Sequence, residues 1–224
     1  MKKLLAIAFC VGIFTTAKSQ IYVQGGVNLA NITTSTSGAT QKNKMLTSFN
    51  AGILGRSNAT EPIALETGLL LEGRGSKTEG GSGSASYKAT FNPLYLELPV
   101  NLIIRVPLQS KTSNIFINGG PYIAMGIAGK SKVDGQLGGA EFHSSKDIQF
   151  TSTDPTANDQ AYSKLKRFDY GVNIGAGVDL GKVMLKANYG LGLAKINSTQ
   201  TNNGEDAKDK YRTVSISVGI PIGR

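Results

Sequence analysis

From Phe168 to Lys195 the chain reads FDYGVNIGAGVDLGKVMLKANYGLGLAK, with apolar residues at almost every second position. Neighbouring side chains of an extended strand point to opposite faces, so Phe168, Tyr170, Val172, Ile174, Ala176, Val178 and Leu180 share one face. Asp169, Gly171, Asn173, Gly175, Gly177 and Asp179 share the other. After a tight link over residues 179–182 the alternation resumes. It sets Val183, Leu185, Ala187, Tyr189, Leu191 and Leu193 against Met184, Lys186, Asn188, Gly190 and Gly192. The pattern predicts a hairpin of two long strands, apolar on one side and polar or glycine on the other.

The residues of the second face tell which side is inside. A soluble sandwich hides its apolar face and shows water a face of Lys, Glu, Thr and Ser. Here the opposite face is mostly Gly and Asn, small enough for a crowded interior. A closed barrel in lipid has the reverse arrangement, apolar outward and polar in the lumen. The hairpin therefore reads as part of a barrel wall that faces lipid.

The chain opens MKKLLAIAFCVGIFTTAKSQ, with Lys2 and Lys3, an apolar run over residues 4–14, then small residues at Ala17 and Ser19. That is the layout of a signal peptide over residues 1–19, cut between Ser19 and Gln20. Its apolar run is too short to span a bilayer as a helix. Lipid attachment at Cys10 would require a small residue where Phe9 stands and would halve the apolar run. Cys10 is the one cysteine, and it leaves with the leader. The mature barrel domain, residues 20–224, then has no disulfide, thiol catalyst or Cys-ligated metal. Without the leader, 21 basic residues face 15 acidic ones with no basic cluster, which argues against a nucleic-acid partner. No long apolar stretch follows the leader. This excludes helical membrane spans but not a barrel, whose strands carry a weaker signal.

Strands fall at residues 21–30, 46–56, 63–74, 91–106 and 114–129, then in the 168–195 hairpin, then at 210–222. Pro99 implies a bulge or a locally unpaired position, because proline has no N–H for the ladder. Polar loops at 33–44, 75–86, 130–164 and 197–208 alternate with short links at 57–62, 107–113 and 179–182. An up-and-down barrel of an outer membrane has this layout: short periplasmic turns, long extracellular loops and both termini in the periplasm. The fold class that follows is all-β, an eight-stranded antiparallel up-and-down transmembrane β-barrel.

YLELPVNLIIRVP at 95–107, RFDYGVNIGAGVDL at 167–180, NYGLGLAKIN at 188–197 and the ending TVSISVGIPIG resemble the outer membrane protein beta-barrel domain family. That family includes PorT-type proteins and is similar in architecture to the OmpA-like eight-stranded barrels. The resemblance covers essentially the whole mature chain. It implies location and fold rather than an activity, and it makes a role in secretion or envelope assembly one version of the function. One departure is the end of the chain. Such barrels usually finish on an aromatic residue read by the insertion machinery, whereas this one finishes Pro221-Ile222-Gly223-Arg224.

The inward face collects Arg56, Glu66, Glu72, Glu97, Arg105, Asp169, Asp179, Lys186 and Arg212. The interior of an eight-stranded barrel is just wide enough for side chains to fill. These residues read as mutually paired charges plugging the lumen, with a narrow gated pore as the alternative. Buried charges need partners, and Glu66 and Arg105, on neighbouring strands near the periplasmic rim, are expected to lie close together. His143 is the one histidine. It reads as a solvated loop residue, with no cysteine to complete a metal set and no fixed serine and acid for a hydrolase. Gly175-Ala176-Gly177 lies inside a strand, whereas a dinucleotide fingerprint opens a helix. Asp154 and Glu205-Asp206 lack EF-hand spacing.

No catalytic residue, cofactor or metal is assigned. The preferred function is a non-enzymatic, monomeric outer membrane barrel. It would contact outer membrane lipids and, through its extracellular loops, envelope or secretion proteins. A small channel or solute-binding porin-like barrel and a soluble periplasmic barrel of lipocalin type are the alternatives.

Overall fold

The computed structural model of the chain describes residues 19–36, 39–42, 44–83, 85–108, 113–152, 164–196 and 208–222. The expected signal peptide lies, apart from Ser19, outside the described residues. The strands are β1 (Ser19–Thr36), β2 (Ala39–Lys42), β3 (Leu46–Thr60), β4 (Ile63–Gly73), β5 (Ser76–Ser82), β6 (Ala85–Pro107) and β7 (Asn114–Leu137). They continue with β8 (Ala140–Asp147), β9 (Gln149–Thr151), β10 (Lys164–Lys166), β11 (Phe168–Asp179), β12 (Met184–Gly192) and β13 (Lys208–Ile222).

Eight of these close a ring. The pairing runs β6-β4-β3-β1-β13-β12-β11-β7, and β7 pairs back onto β6. Chain neighbours pair with each other, and β1 meets β13 antiparallel from Ile21↔Ile222 to Ser35↔Lys208. Closure leaves the wall without a free edge, which a membrane demands because unpaired backbone groups in lipid cost several kcal/mol each. One end of the ring gathers the three short turns and both ends of the described chain. The other end gathers the long connections.

Side-chain direction follows the sequence parity. Ile174 and Ile216 are each 64% exposed, Ile123 is 60%, and Leu185, Val218, Leu102 and Ile53 also point away from the axis. On the opposite parity Tyr22, Leu54, Glu66, Glu97, Asn101 and Asn28 are fully or almost fully buried. The wall is thus apolar outside on every ring strand, while its interior is polar with apolar residues toward each end. A soluble lipocalin-type barrel has its apolar residues inside, so that alternative is set aside. On β6 the outward apolar residues run from Leu94 to Val106. That is about 40 Å of strand and, at a tilt of about 40°, about 30 Å of depth, the thickness of a hydrocarbon core.

Pro99 falls where the β4–β6 pairing lapses, between Leu70↔Glu97 and Thr67↔Val100, with the register unchanged across the gap. The register shift on β6 lies instead at Leu94/Tyr95, opposite β7.

Three regions expected as loops contain strands. Within 33–44, β1 continues to Thr36 and Ala39–Lys42 returns against it as β2. Within 75–86, Ser76–Ser82 forms β5 and pairs with the start of β6. Within 130–164, β7 continues to Leu137 and turns through Gly138 (φ 58°) and Gly139 (φ 91°). It then returns as β8. Two glycines in the left-handed region form the two-residue turn that suits the twist of a hairpin. The result is a four-stranded ribbon, β5-β6-β7-β8, standing beyond the ring at its loop end. Its residues carry little apolar alternation because most of the ribbon lies in water rather than lipid.

An arginine in the lipid-facing band is the direct test of this orientation. Ile174→Arg is expected to cost about 2–4 kcal/mol of folding free energy in phospholipid vesicles, measured by guanidinium titration. A soluble barrel would tolerate the change at so exposed a position, and an unaltered midpoint would refute the lipid-facing assignment.

Candidate functional site

Two arginines organise the interior, one toward each end. Toward the turn end, Arg56 on β3 stands directly across from Glu66 on β4. Its Nη2 donates to Glu66 Oε2 at 2.8 Å and its Nη1 to Asp179 Oδ2 at 3.4 Å. Lys186 Nζ donates to Glu66 Oε1 at 2.5 Å, and Asn101 Nδ2 to the same oxygen at 3.2 Å. The Tyr22 hydroxyl donates to Asp179 at 2.7 Å. The Arg56 guanidinium also lies over the rings of Phe116 (4.6 Å) and Tyr22 (5.1 Å). Two cations and two carboxylates balance at this level.

Arg74, just past the end of β4, repeats the device about 20 Å higher, eight residues beyond Glu66, the residue across from Arg56. Its Nη1 donates to Asp169 Oδ2 at 2.7 Å, its Nη2 to Glu97, and its Nε and Nη2 to Glu72 at 3.3 and 3.2 Å. The Tyr122 hydroxyl donates to Asp169 at 3.0 Å, and Asn173 Nδ2 to Glu97 at 2.8 Å. Tyr122 and Tyr95 present their rings to the guanidinium at 4.7 and 5.6 Å. Arginine suits this role: its planar fork binds several carboxylates while its faces rest on aromatic rings.

Amides and hydroxyls occupy the space between. Asn50 Nδ2 donates to Asn28 Oδ1 at 2.6 Å, Ser217 Oγ to Asn50 Oδ1 at 2.9 Å, and Asn118 Nδ2 to Asn188 Oδ1 at 2.9 Å. Beside Glu72 and Arg74 a cavity of about 10 Å³ remains, lined also by Asn173, Thr213 and Ser215, with room for about one water molecule.

The loop-end mouth is apolar. Ile148, Leu165 and Ile196 pack with Ile32, Phe91, Tyr95, Tyr122, Ala124 and Tyr211 in one buried cluster, and Phe150 packs against it. The Phe150 ring meets Tyr95 edge to face at 5.6 Å. It lies where a Cβ at position 126 would stand, so Gly126 lets it approach the wall. The short parallel pair β9–β10 brings these residues over the opening, and the Tyr95 hydroxyl holds it by donating to the Lys166 carbonyl at 3.1 Å.

Of the residues read from the sequence as inward, Arg56, Glu66, Glu72, Glu97, Asp169, Asp179 and Lys186 are buried in the interior. Arg105 keeps the inward parity but stands half-buried at the turn-end rim, its N–H bonded to the Pro62 carbonyl at 3.0 Å. The expected Glu66–Arg105 pairing is corrected: Glu66 is across from Asn101 and engages Arg56 and Lys186 instead. Arg212 is also corrected. It shares the parity of Val214 and Ile216, and its Nη1 donates to the Gly192 and Tyr211 carbonyls at 3.0 and 3.1 Å. The inward residues of β13 are Tyr211, Thr213, Ser215 and Ser217. Arg74 was missed, although it continues the Glu66, Gly68, Leu70, Glu72 parity, and so were the roles of the tyrosines beside the arginines.

His143 lies on β8, not in a loop. Its Nδ1 is 2.8 Å from Asp134 Oδ1, and Nε2 is 3.9 Å from Glu141. The hydrogen bond to Asp134, together with the pull of both carboxylates, raises its pKa above the ordinary 6.5. On β5, hydrogen bonds from Lys44 (2.8 Å) and Lys77 hold the Glu79 carboxyl down to about 2.

A closed antiparallel sheet with an apolar outer wall and charged pairs along its axis is a transmembrane β-barrel. The sequence matches the family described as outer membrane protein beta-barrel domain over residues 15–198, and the chain belongs to that family. No curated protein matches it in sequence. Among solved structures it is similar to Ail, the attachment invasion locus protein of Yersinia pestis, at 14% identity and TM-score 0.39, covering 92% of this chain and 99% of that one. It is likewise similar to Neisserial surface protein A, at 14% identity and TM-score 0.35, covering 89% and 96%. The N-terminal beta-barrel domain of Pseudomonas aeruginosa OprF aligns at 10% identity and TM-score 0.30, covering 89% and 99%.

Two measurements probe these groups. Arg74→Ala leaves three buried carboxylates around a missing cation and is expected to cost about 3–5 kcal/mol in guanidinium unfolding; an unchanged midpoint would show that Arg74 is not their partner. For His143, a pKa raised on folding means the bond to Asp134 adds stability below about 6.5 and loses it as pH climbs through the raised value. Hydrogen exchange of residues 140–147, corrected for intrinsic rate, should therefore be more protected at pH about 6 than at about 8.5. His143→Gln should remove the difference.

Proposed function

We propose that this chain is a monomeric, non-catalytic barrel of the outer membrane. Its lumen is closed to solutes, and its surface ribbon β5–β8 offers the contact surface for envelope or secretion partners. Export through the 1–19 leader belongs to this reading, as does the placing of the short-turn end in the periplasm and the ribbon outside the cell, the usual asymmetry of such barrels. The observation that carries it is Arg74, tied to Glu72, Glu97 and Asp169 from three other places on the wall. The mouth cluster above it and the Arg56 group below it add to the obstruction. The cavity beside Arg74, about 10 Å³, has room for about one water molecule. The PorT-like version, a part in secretion or envelope assembly, draws on the family resemblance and on the exposure of β8 along its whole length.

Planar bilayers are the test. The purified barrel should give no reproducible unitary openings, whereas Arg74→Ala combined with Glu97→Ala and Phe150→Ala should open a measurable conductance. Regular openings in the unaltered protein would replace this reading with that of a small channel. Co-purification from detergent-solubilised envelopes, with and without residues 76–91 and 130–147, would then separate a secretion or assembly role from a purely structural one.

A further inference from the structure

At the loop end the outer wall changes character within one strand spacing. Leu94 on β6, with Ile127 and Ala128 on β7, closes the apolar band; above them the outward face carries Asn92, Thr90 and Lys88 on β6 and, past the one-residue register shift at Leu94/Tyr95, Lys130 and Lys132 on β7. A groove of about 680 Å³ crosses this boundary. Phe49, Leu94 and Ile127 line its apolar part, and Thr90, Lys130 and Lys132 its polar part. Among the described residues no ion pair engages Lys88, Lys130 or Lys132. Lys130 and Lys132 project on one face about 7 Å apart, with Lys88 diagonally across from Lys132. One carboxylate, Asp147, lines the same groove across from Lys130, and Asp134 on that face is engaged by His143. The local balance is cationic.

We propose that this groove binds a phosphate-bearing lipid of the leaflet at the loop end. Lys130 and Lys132 take the phosphate, and Phe49, Leu94 and Ile127 take the first methylenes of an acyl chain. The reasons are charge complementarity and level. A lipid presents its anionic head and its chain in the vertical order that the groove presents ammonium and apolar surface, and unpaired lysines at an interface attract anionic heads. A soluble anion would gain nothing from the apolar floor, and a neutral lipid nothing from the lysines. The assignment rests on the reading above that the loop end lies at the outer leaflet.

The mature barrel in neutral detergent is mixed with bisphosphorylated lipid A, with its dephosphorylated form, or with inorganic phosphate, and bound molecules are counted by native mass spectrometry. The phosphorylated lipid should bind, the dephosphorylated form much more weakly, and inorganic phosphate not at all. Lys130→Gln with Lys132→Gln should weaken lipid binding about twenty-five-fold, from about a factor of five for each lysine, and Asp147→Asn should tighten it. Lys182→Gln, in the short turn at the opposite rim, should leave it unchanged, and the shift between heated and unheated gel mobility shows that each variant is folded. Equal binding of the double variant and the unaltered protein overturns the proposal, as does equal binding of the phosphorylated and dephosphorylated lipids. Labelling of Ala140→Cys on intact cells by an impermeant maleimide tests sidedness separately: no labelling refutes the outer-leaflet assignment, whereas labelling without lipid selectivity refutes the groove alone.

Discussion

The structure depends on a single requirement: in hydrocarbon, every backbone N–H and C=O must find its partner within the protein. A sheet meets it only by closing, and here β7 pairing back onto β6 completes the ring. Closure fixes the rest. It sorts each strand's residues into a lipid face and an axial face, and with eight strands it leaves an axis that side chains alone can fill. Outside the membrane the requirement lapses. The ribbon there ends in an edge strand, β8, whose residues are all exposed.

The interior then has its own problem, since ionic groups withdrawn from water need compensation at close range. Two arginines supply it in the same way at different depths. Arg56 and Arg74 each hold carboxylates at the edge of the guanidinium and aromatic rings at its face. The rings, Tyr22 and Phe116 below, Tyr95 and Tyr122 above, also bring the bulk that closes the packing at each end. Between them the amide pairs need less compensation, because neutral groups are satisfied by one or two hydrogen bonds.

The two ends of the molecule differ because they meet different surroundings. At the turn end the connections are a few residues long and the register runs almost undisturbed into the turns. At the loop end the chain doubles back, lays β9 and β10 over the mouth, and raises β5 to β8 beyond the wall. The outward surface passes from Leu94 and Ile127 to Lys130 and Lys132 within a few residues, as expected where a strand leaves hydrocarbon for a charged interface.

Alternation along the chain determined the eight ring strands, the face each residue takes and the order of long and short connections, because side-chain direction in a strand is a local property of period two. It failed where that period carries no contrast. The Ser- and Gly-rich segment 76–82 and the polar segment 140–147 give no apolar rhythm, so their strands were legible only through the neighbours they pair with. In β13 the inward parity falls one residue away from the expected one, on Tyr211 and not Arg212. Arg74 keeps the inward parity but stands just past the end of β4, where alternation alone carries no signal. What the tertiary structure alone decided was partnership. Glu66 binds Arg56 and Lys186 rather than Arg105, and Arg74 gathers acids from β4, β6 and β11, because the stagger between strands and the closure of the ring set which side chains share a level across the axis.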